Sequence, residues 1–388
     1  MSDSSDSISR DTCPWPMDVL QSLPPPQIGS TVQVRQGDRT LALSEIYFPC
    51  VHYLGRPTRA FGYYARPAQA SAPLPAILLI HGGGGTADPY WARHWAGRGY
   101  AALALDLYGQ GPNQTKLSDG GPDWSNDFAS FRLTSGLENT WIFQAIASCI
   151  AAITALAHLP EVDRDRIAVS GISWGGYFCS TVMSIDDRVR LGIPMYGCGY
   201  NKRTATGSGI PPEDGRIQRE RFDPANFFAR CNKPVLWISA VNDRATPLDE
   251  LERSYRAIPG PSTLCIALTS GHSDLAAVTS GTRLEPEIFA DSIFRDTDPL
   301  AKLGPPIITD RELQVPYSSP VPPSVALLIW TTDRQPDWPG RHWQTTRANF
   351  TPTLLHAHLP ADPCTAYLAL IDARGALVTS EFVHIAPE

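Results

Sequence analysis

Short, continuous apolar runs recur along the first three hundred residues of the chain. They are Ala76–Ile80 (AILLI), Tyr100–Leu107, Arg166–Ser170, Leu191–Met195, Pro234–Ala240 and Thr263–Leu268. Runs that are apolar on both faces suit the parallel strands of a sheet covered by helices on each side. Between them lie stretches with helical spacing. The clearest is Glu138–His158, opened by Ser135-Gly136-Leu137-Glu138, which has the form of a capping box. Its Trp141, Ala145, Cys149 and Ala152 recur at the interval of a core-facing stripe. Two earlier runs, Leu41–Val51 and Ala60–Ala65, read as strands with the turn Gly55-Arg56-Pro57 between them. Strands alternating with helices predict a three-layer α/β sandwich with a mostly parallel sheet and right-handed crossovers.

Two segments interrupt the alternation, 109–134 and 199–225. Both are polar and follow strand ends, where substrate-facing insertions belong. Residues 1–30, ending near Pro24-Pro25-Pro26, read as a mobile arm, and 31–303 as the α/β domain. Past residue 303 the helical period disappears. Val325–Thr331, Thr353–Leu359, Ala366–Asp372 and Ala376–Ile385 are short strand-like runs, the last two separated by the turn Ala373-Arg374-Gly375. Residues 304–388 therefore predict a small all-β, sandwich-like domain.

Composition narrows the class. Prolines number 36 among 388 residues, which disfavours an all-helical bundle. The formal net charge is −7, with 32 Lys+Arg against 39 Asp+Glu, so the basic surplus of a nucleic-acid partner is missing. Only Lys116, Lys202, Lys233 and Lys302 are lysines, and the arginine bias comes without any basic run. No membrane span is expected, because no long run is uniformly apolar, and the polar start MSDSSDSISRDTCPWP is not a signal peptide as written. A cytoplasmic location is the matching expectation. The eight cysteines contain no C-x-x-C pair and read as buried thiols of a reducing compartment, with Cys198–Cys231 as the one bridge to consider.

Chemistry concentrates in two glycine-rich segments. Gly171-Ile172-Ser173-Trp174-Gly175-Gly176 follows a predicted strand and precedes a helical stretch beginning near Gly176. A G-x-S-x-G in that setting is a nucleophile elbow, in which Ser173 is presented on a sharp turn and both flanking glycines avoid a collision. His81-Gly82-Gly83-Gly84-Gly85 follows the strand AILLI directly. Glycines let backbone N–H groups approach a substrate oxygen, so Gly83 or Gly84, with the N–H of Trp174, forms a candidate oxyanion hole. His81 itself reads as a residue that holds the loop. A phosphate-binding loop would need a following Lys-Ser/Thr or G-x-G-x-x-G, and neither is present.

These two segments resemble the α/β-hydrolases. Asp106-Leu107-Tyr108-Gly109-Gln110-Gly111, together with GISWGG, is similar to the dienelactone hydrolase and acetyl xylan esterase-like branch over residues 40–300. Dienelactone hydrolases proper place cysteine in the elbow, where this chain has Ser173. The resemblance implies an acid and then a histidine downstream of the elbow. Asp243, in Val241-Asn242-Asp243, and His272, in Ser270-Gly271-His272-Ser273, occupy the corresponding loops, with Asp249 and Glu250 as rivals for the acid. His356 and His358 share one strand face without an evident third ligand, so no metal is assigned.

The function these features imply is serine carboxylic-ester hydrolysis of a small-molecule ester, with no cofactor. Trp91, Tyr108, Trp124 and Trp174 are candidate walls of a short-acyl pocket, or rings that merely pack under a loop. A peptidase, a thioesterase or acyltransferase, and a catalytically silent binding protein remain alternatives. A homodimer is compatible with the sequence.

Overall fold

The computed structural model describes residues 13–123, 131–201, 211–268, 272 and 283–386. An antiparallel meander opens the chain: β1 (Gln27–Gln36), β2 (Arg39–Tyr53) and β3 (Arg56–Pro67). The parallel core follows, with β4 (Leu74–Ile80), β5 (Ala101–Leu105), β6 (Val162–Ile172), β7 (Val189–Met195), β8 (Val235–Ala240) and β9 (Ser262–Ala267) in the order β5-β4-β6-β7-β8-β9. Inward-facing residues alternate along β4. Ala76, Leu78 and Ile80 enter one core, and Ile77 and Leu79 enter the other.

Helices cover both faces. On one lie α1 (Met17–Gln21), the side of α2 (Pro89–Gly97) being opposite to it, with α3 (Trp141–His158), α4 (Trp174–Ile185) and, after the polar helix α5 (Pro212–Phe222), α6 (Leu248–Ala257). On the other face α2 is joined by α7 (Glu285–Phe294), held through Trp91, Trp95, Phe289 and Phe294. This is the predicted α/β architecture, a mixed sheet with a parallel centre.

The first helix of the elbow layer starts later than the capping box suggests. Gly136 takes φ 96, two short 3₁₀ turns occupy Leu133–Ser135 and Leu137–Asn139, and Thr140 is the N-cap of α3. The left-handed glycine turns the chain, so the Ser135/Glu138 pair cannot serve the first turn of α3. α3 is also apolar all round rather than along one stripe. By length and composition it could cross a membrane, but 83% of it is buried inside the protein.

That burial explains a departure from the mobile arm expected over residues 1–30. Within residues 13–30 two side chains are anchored in the core, Trp15 and Leu20, while most of the others are exposed, and β1 begins at Gln27. Trp15 donates its indole N–H to the Phe143 carbonyl at 3.0 Å, and Thr154 of α3 donates to the Leu20 carbonyl at 2.8 Å. A helix with no polar face needs a cover on its outer side, and this segment supplies it. The part of the arm before residue 13 lies outside the described residues. All eight cysteines are free thiols, so Cys198 and Cys231 are not bridged.

The C-terminal region contains β10 (Lys302–Leu303), β11 (Ile307–Thr309), β12 (Glu312–Ser318), β13 (Pro323–Thr331), β14 (Gln344–Arg347), β15 (Asn349–Phe350), β16 (Leu354–His358), β17 (Thr365–Asp372), β18 (Leu377–Thr379) and β19 (Val383–His384). It is β-rich, and it does not stand apart. β18 pairs with β9 at Thr379–Leu264, and β17, β13 and β14 continue outward, so the central sheet runs through fourteen strands among the described residues. A second small sheet, built on β12 and β16, packs Leu313, Val315, Leu355 and Ala357 into the same core as Ala326, Leu328, Leu368 and Leu370.

Candidate active site

Ser173 sits between β6 and α4 with φ 57 and ψ −119, a conformation strained for a residue bearing a Cβ. The strain is accommodated by contacts only glycine permits. A Cβ on Gly171 would lie 2.1 Å from the Gly175 carbonyl oxygen, and one on Gly175 would lie 2.0 Å from the Ile80 carbonyl oxygen. The Ser173 N–H is anchored to the Met195 carbonyl at 2.8 Å. The turn therefore lifts the hydroxyl off the sheet at the start of α4, where the helix dipole favours developing negative charge. The helix begins at Trp174, two residues earlier than the sequence suggests.

His272 and Asp243 are brought to this hydroxyl. Ser173 Oγ lies 2.7 Å from His272 Nε2, and His272 Nδ1 lies 2.8 Å from Asp243 Oδ1. Asp243 follows β8 and is 1% exposed. The same Oδ1 accepts the N–H groups of Ala245 at 2.8 Å and Thr246 at 3.1 Å, while Thr246 Oγ1 donates to the Tyr196 carbonyl at 2.9 Å. An ionised carboxylate fits these donors, because acceptors alone are asked of it. The Tyr196 ring closes edge-on against the His272 imidazole, with centroids 6.2 Å apart. Asp249 and Glu250 lie in the first turn of α6, outside this relay.

The glycine loop crosses directly beside the elbow. A Cβ on Gly82 would stand 3.0 Å from Ser173 Cβ. His81 is buried and pins the loop: its Nδ1 is 2.7 Å from the Gly82 carbonyl, and its Nε2 is 3.1 Å from the Leu107 N–H. The Leu107 donor requires Nε2 to accept, so Nδ1 carries the proton and the ring is neutral. Burial pushes its pKa down to about 4. The loop's two candidate donors separate here. Gly84 N–H is already given to the Tyr108 hydroxyl at 2.7 Å, and Gly85 N–H to the Gly82 carbonyl at 3.0 Å. Gly84 is therefore withdrawn from the oxyanion assignment, and Gly83 remains.

The proposed pocket walls fare differently. Trp91 is buried in the layer between α2 and the sheet and has no face to offer a substrate. Tyr108 is 5% exposed and stacks on Trp141 at 5.9 Å, so it supports the loop rather than lining a cavity. Trp124 lies outside the described residues. Of the four, Trp174 is the one that stands beside the nucleophile. Its half-buried ring meets Trp141 at 5.2 Å, Phe131 at 5.8 Å and Phe178 at 5.7 Å. The two polar insertions also meet each other: Leu133 N–H donates to Asp214 Oδ2 at 3.1 Å, and the Gln218 amide donates to the Phe131 carbonyl. Among the described residues no group of three or more metal-ligating side chains converges.

A parallel sheet carrying a serine elbow, a loop of glycines after the preceding core strand and a histidine within reach define an α/β-hydrolase. The chain belongs to the dienelactone hydrolase family, whose pattern matches residues 61–259. That membership places it among hydrolases, in general those that cleave esters. In the same region it is 24% identical over 217 residues to a protein of Escherichia coli K12 named "Putative carboxymethylenebutenolidase", covering 54% of this chain and 71% of that one. Its fold is like that of the acetyl xylan esterase from Paenibacillus sp. R4, with a TM-score of 0.55, 22% identity, and 69% of this chain and 90% of that chain covered. It is also like acetyl xylan esterase 1 from Thermoanaerobacterium sp. JW/SL YS485, with a TM-score of 0.54, 18% identity, and coverage of 69% and 94%.

Proposed function

We propose that the protein is a serine carboxylic-ester hydrolase acting on small, short-acyl esters through a Ser173–His272–Asp243 triad. The observation that carries this reading is the continuous relay from Ser173 Oγ to His272 Nε2 at 2.7 Å and from His272 Nδ1 to Asp243 at 2.8 Å, on a strained elbow. His272 takes the Ser173 proton as Oγ attacks the acyl carbon, and Asp243 holds the imidazole in the tautomer that can accept it. The oxyanion forms against the backbone N–H groups of Trp174 and Gly83. The protonated His272 then gives its proton to the departing alcohol. Water, deprotonated by His272, attacks the acyl-serine, and collapse of that second tetrahedral species returns Ser173 and releases the acid. The substrate is a small-molecule ester.

The short-acyl preference rests on the surroundings. The insertion after β5 carries Asn113, Gln114, Lys116, Ser118 and Asp119 and offers no apolar lid for an oil surface. The ring of Trp174 and its neighbours occupies volume that a long acyl chain would need. The acetyl xylan esterases of like fold point the same way.

A series of p-nitrophenyl esters from acetate to octanoate, with Ser173→Ala as control, tests both statements. kcat/KM should peak at about two to four carbons, although each methylene that found an apolar slot would add ~0.8 kcal/mol. Ser173→Ala should fall ~10³- to 10⁶-fold. A rise continuing through octanoate overturns the short-acyl reading, and an active Ser173→Ala variant overturns the serine mechanism.

A further inference from the structure

Which way the Gly82–Gly83 peptide faces decides whether Gly83 can serve an oxyanion. The peptide is trans, as are all others described, so the Gly82 C=O and the Gly83 N–H point in opposite directions. The Gly82 oxygen is held by three donors on its own side. They are His81 Nδ1 at 2.7 Å, Gly85 N–H at 3.0 Å and the Tyr108 hydroxyl at 3.4 Å. With that oxygen tied back, the Gly83 N–H is turned the other way. The Tyr108 hydroxyl acts on the loop twice, since it also accepts the Gly84 N–H at 2.7 Å. It thereby satisfies the one neighbouring amide that would otherwise compete for the same acceptor.

The hydroxyl is itself fixed from below. The Tyr108 N–H donates to Asp106 Oδ1 at 2.9 Å, and the Tyr108 carbonyl accepts Lys116 Nζ at 2.7 Å. Its ring packs on His81 at 5.0 Å and on Trp141 at 5.9 Å. Lys116 also donates to the Gly121 carbonyl at 2.6 Å, which ties the clamp to the polar insertion. A tyrosine so restrained on both main-chain sides, with its hydroxyl bonded to Gly82 and Gly84 on either side of Gly83, is built to hold a peptide plane.

We propose that Tyr108 is a positioning residue of the hydrolytic reaction: its hydroxyl orients the Gly82–Gly83 peptide so that Gly83 N–H meets the oxyanion. The proposal rests on the esterase reading above. Tyr108 does not touch the reacting atoms, and its effect passes entirely through the loop. Removing the hydroxyl leaves the ring packing in place, frees the Gly84 N–H, and leaves the Gly82 oxygen on His81 and Gly85 alone.

The test is Tyr108→Phe on the full chain, assayed with p-nitrophenyl acetate and with a trifluoromethyl ketone, whose serine adduct carries the oxyanion. Removal of a single oxyanion donor costs ~10²- to 10³-fold, and a misaligned one should cost less, about 10- to 100-fold in kcat. KM and the pH midpoint of kcat/KM should stay put, because His272 and Asp243 are untouched. Affinity for the ketone should fall with kcat. Lys116→Met, which removes an anchor on the Tyr108 carbonyl, should move kcat the same way by a smaller factor, and it stands in should Tyr108→Phe not fold. A folded Tyr108→Phe with kcat and ketone affinity within twofold of wild type overturns the proposal, as does a loss confined to KM or to melting temperature. Failure of the esterase reading is separate: it would show as a wild-type protein with no Ser173-dependent ester cleavage.

Discussion

Two buried groups, the His81 imidazole and the Asp106 carboxyl, carry opposite pH signatures although Leu107, next to Asp106, donates its N–H to His81. His81 titrates near 6.5 when unfolded and at about 4 in the folded chain, so the unfolded state binds more protons between those values. Its contribution to stability is therefore fully present above pH 6.5 and is lost as the pH falls toward 4. Asp106, raised by burial to about 6 from 3.8, runs the other way, because the folded state holds its proton longer and gains stability as the pH falls through 6. Comparing His81→Gln with wild type cancels the Asp106 part. The variant should be less stable at pH 7, and the gap should narrow by about 3 kcal/mol by pH 4, as read from urea midpoints. A gap that does not change with pH removes His81 from the account. The acid of the relay has its own test. Asp243→Asn should lower kcat ~10²- to 10⁴-fold with little change in KM, while Asp249→Asn stays near wild type. A reversal of those two results reassigns the acid.

At the scale of elements, α3 organises the elbow side of the molecule. It lies against β2 and β4 to β6, its Trp141 indole N–H holds the Leu107 carbonyl at 2.9 Å, and its outer face is closed by the segment around Trp15 and Leu20. Trp15 also touches Phe222 at 5.6 Å and Phe227 at 5.8 Å, so the same ring braces the second insertion. Trp15→Ala should cost about 3–5 kcal/mol, the usual loss for a buried aromatic, and thermal unfolding should show it as a clear fall in melting temperature. An unchanged melting temperature would restore the loose-arm view of residues 13–30. The elbow is an element of another sort, since its shape depends on glycines at 171 and 175 that admit the neighbouring backbone.

At the scale of the molecule, the sheet crosses from the parallel core into the C-terminal region without a break. Cutting the chain after residue 303 would leave β9 as an open edge and would strip Leu368, Leu370 and Ala376 from their core. Residues 1–303 alone should aggregate or melt well below the full chain, and light scattering with calorimetry would show it. A soluble fragment with the full-length melting temperature would make 31–303 a self-sufficient unit.

Much of this was legible in the sequence because it is local. The apolar runs from AILLI to Thr263–Leu268 lie in or overlap the core strands, and the glycines of GISWGG and HGGGG mark backbones that no side chain may crowd. What the sequence could not decide were choices between groups of similar local chemistry. Ser135 looks like the cap of the helix, and only the positive φ of Gly136 shows that the helix starts after Thr140 instead. Gly83 and Gly84 are chemically identical, and only a hydroxyl 24 residues away takes one of them out of use. Trp15 reads as a stray aromatic until the outer face of α3 needs a cover, and Thr379 gives no hint that it will pair with Leu264. Each of these outcomes depends on which distant groups share a small volume, and that is settled by packing the whole chain rather than by any run of residues within it.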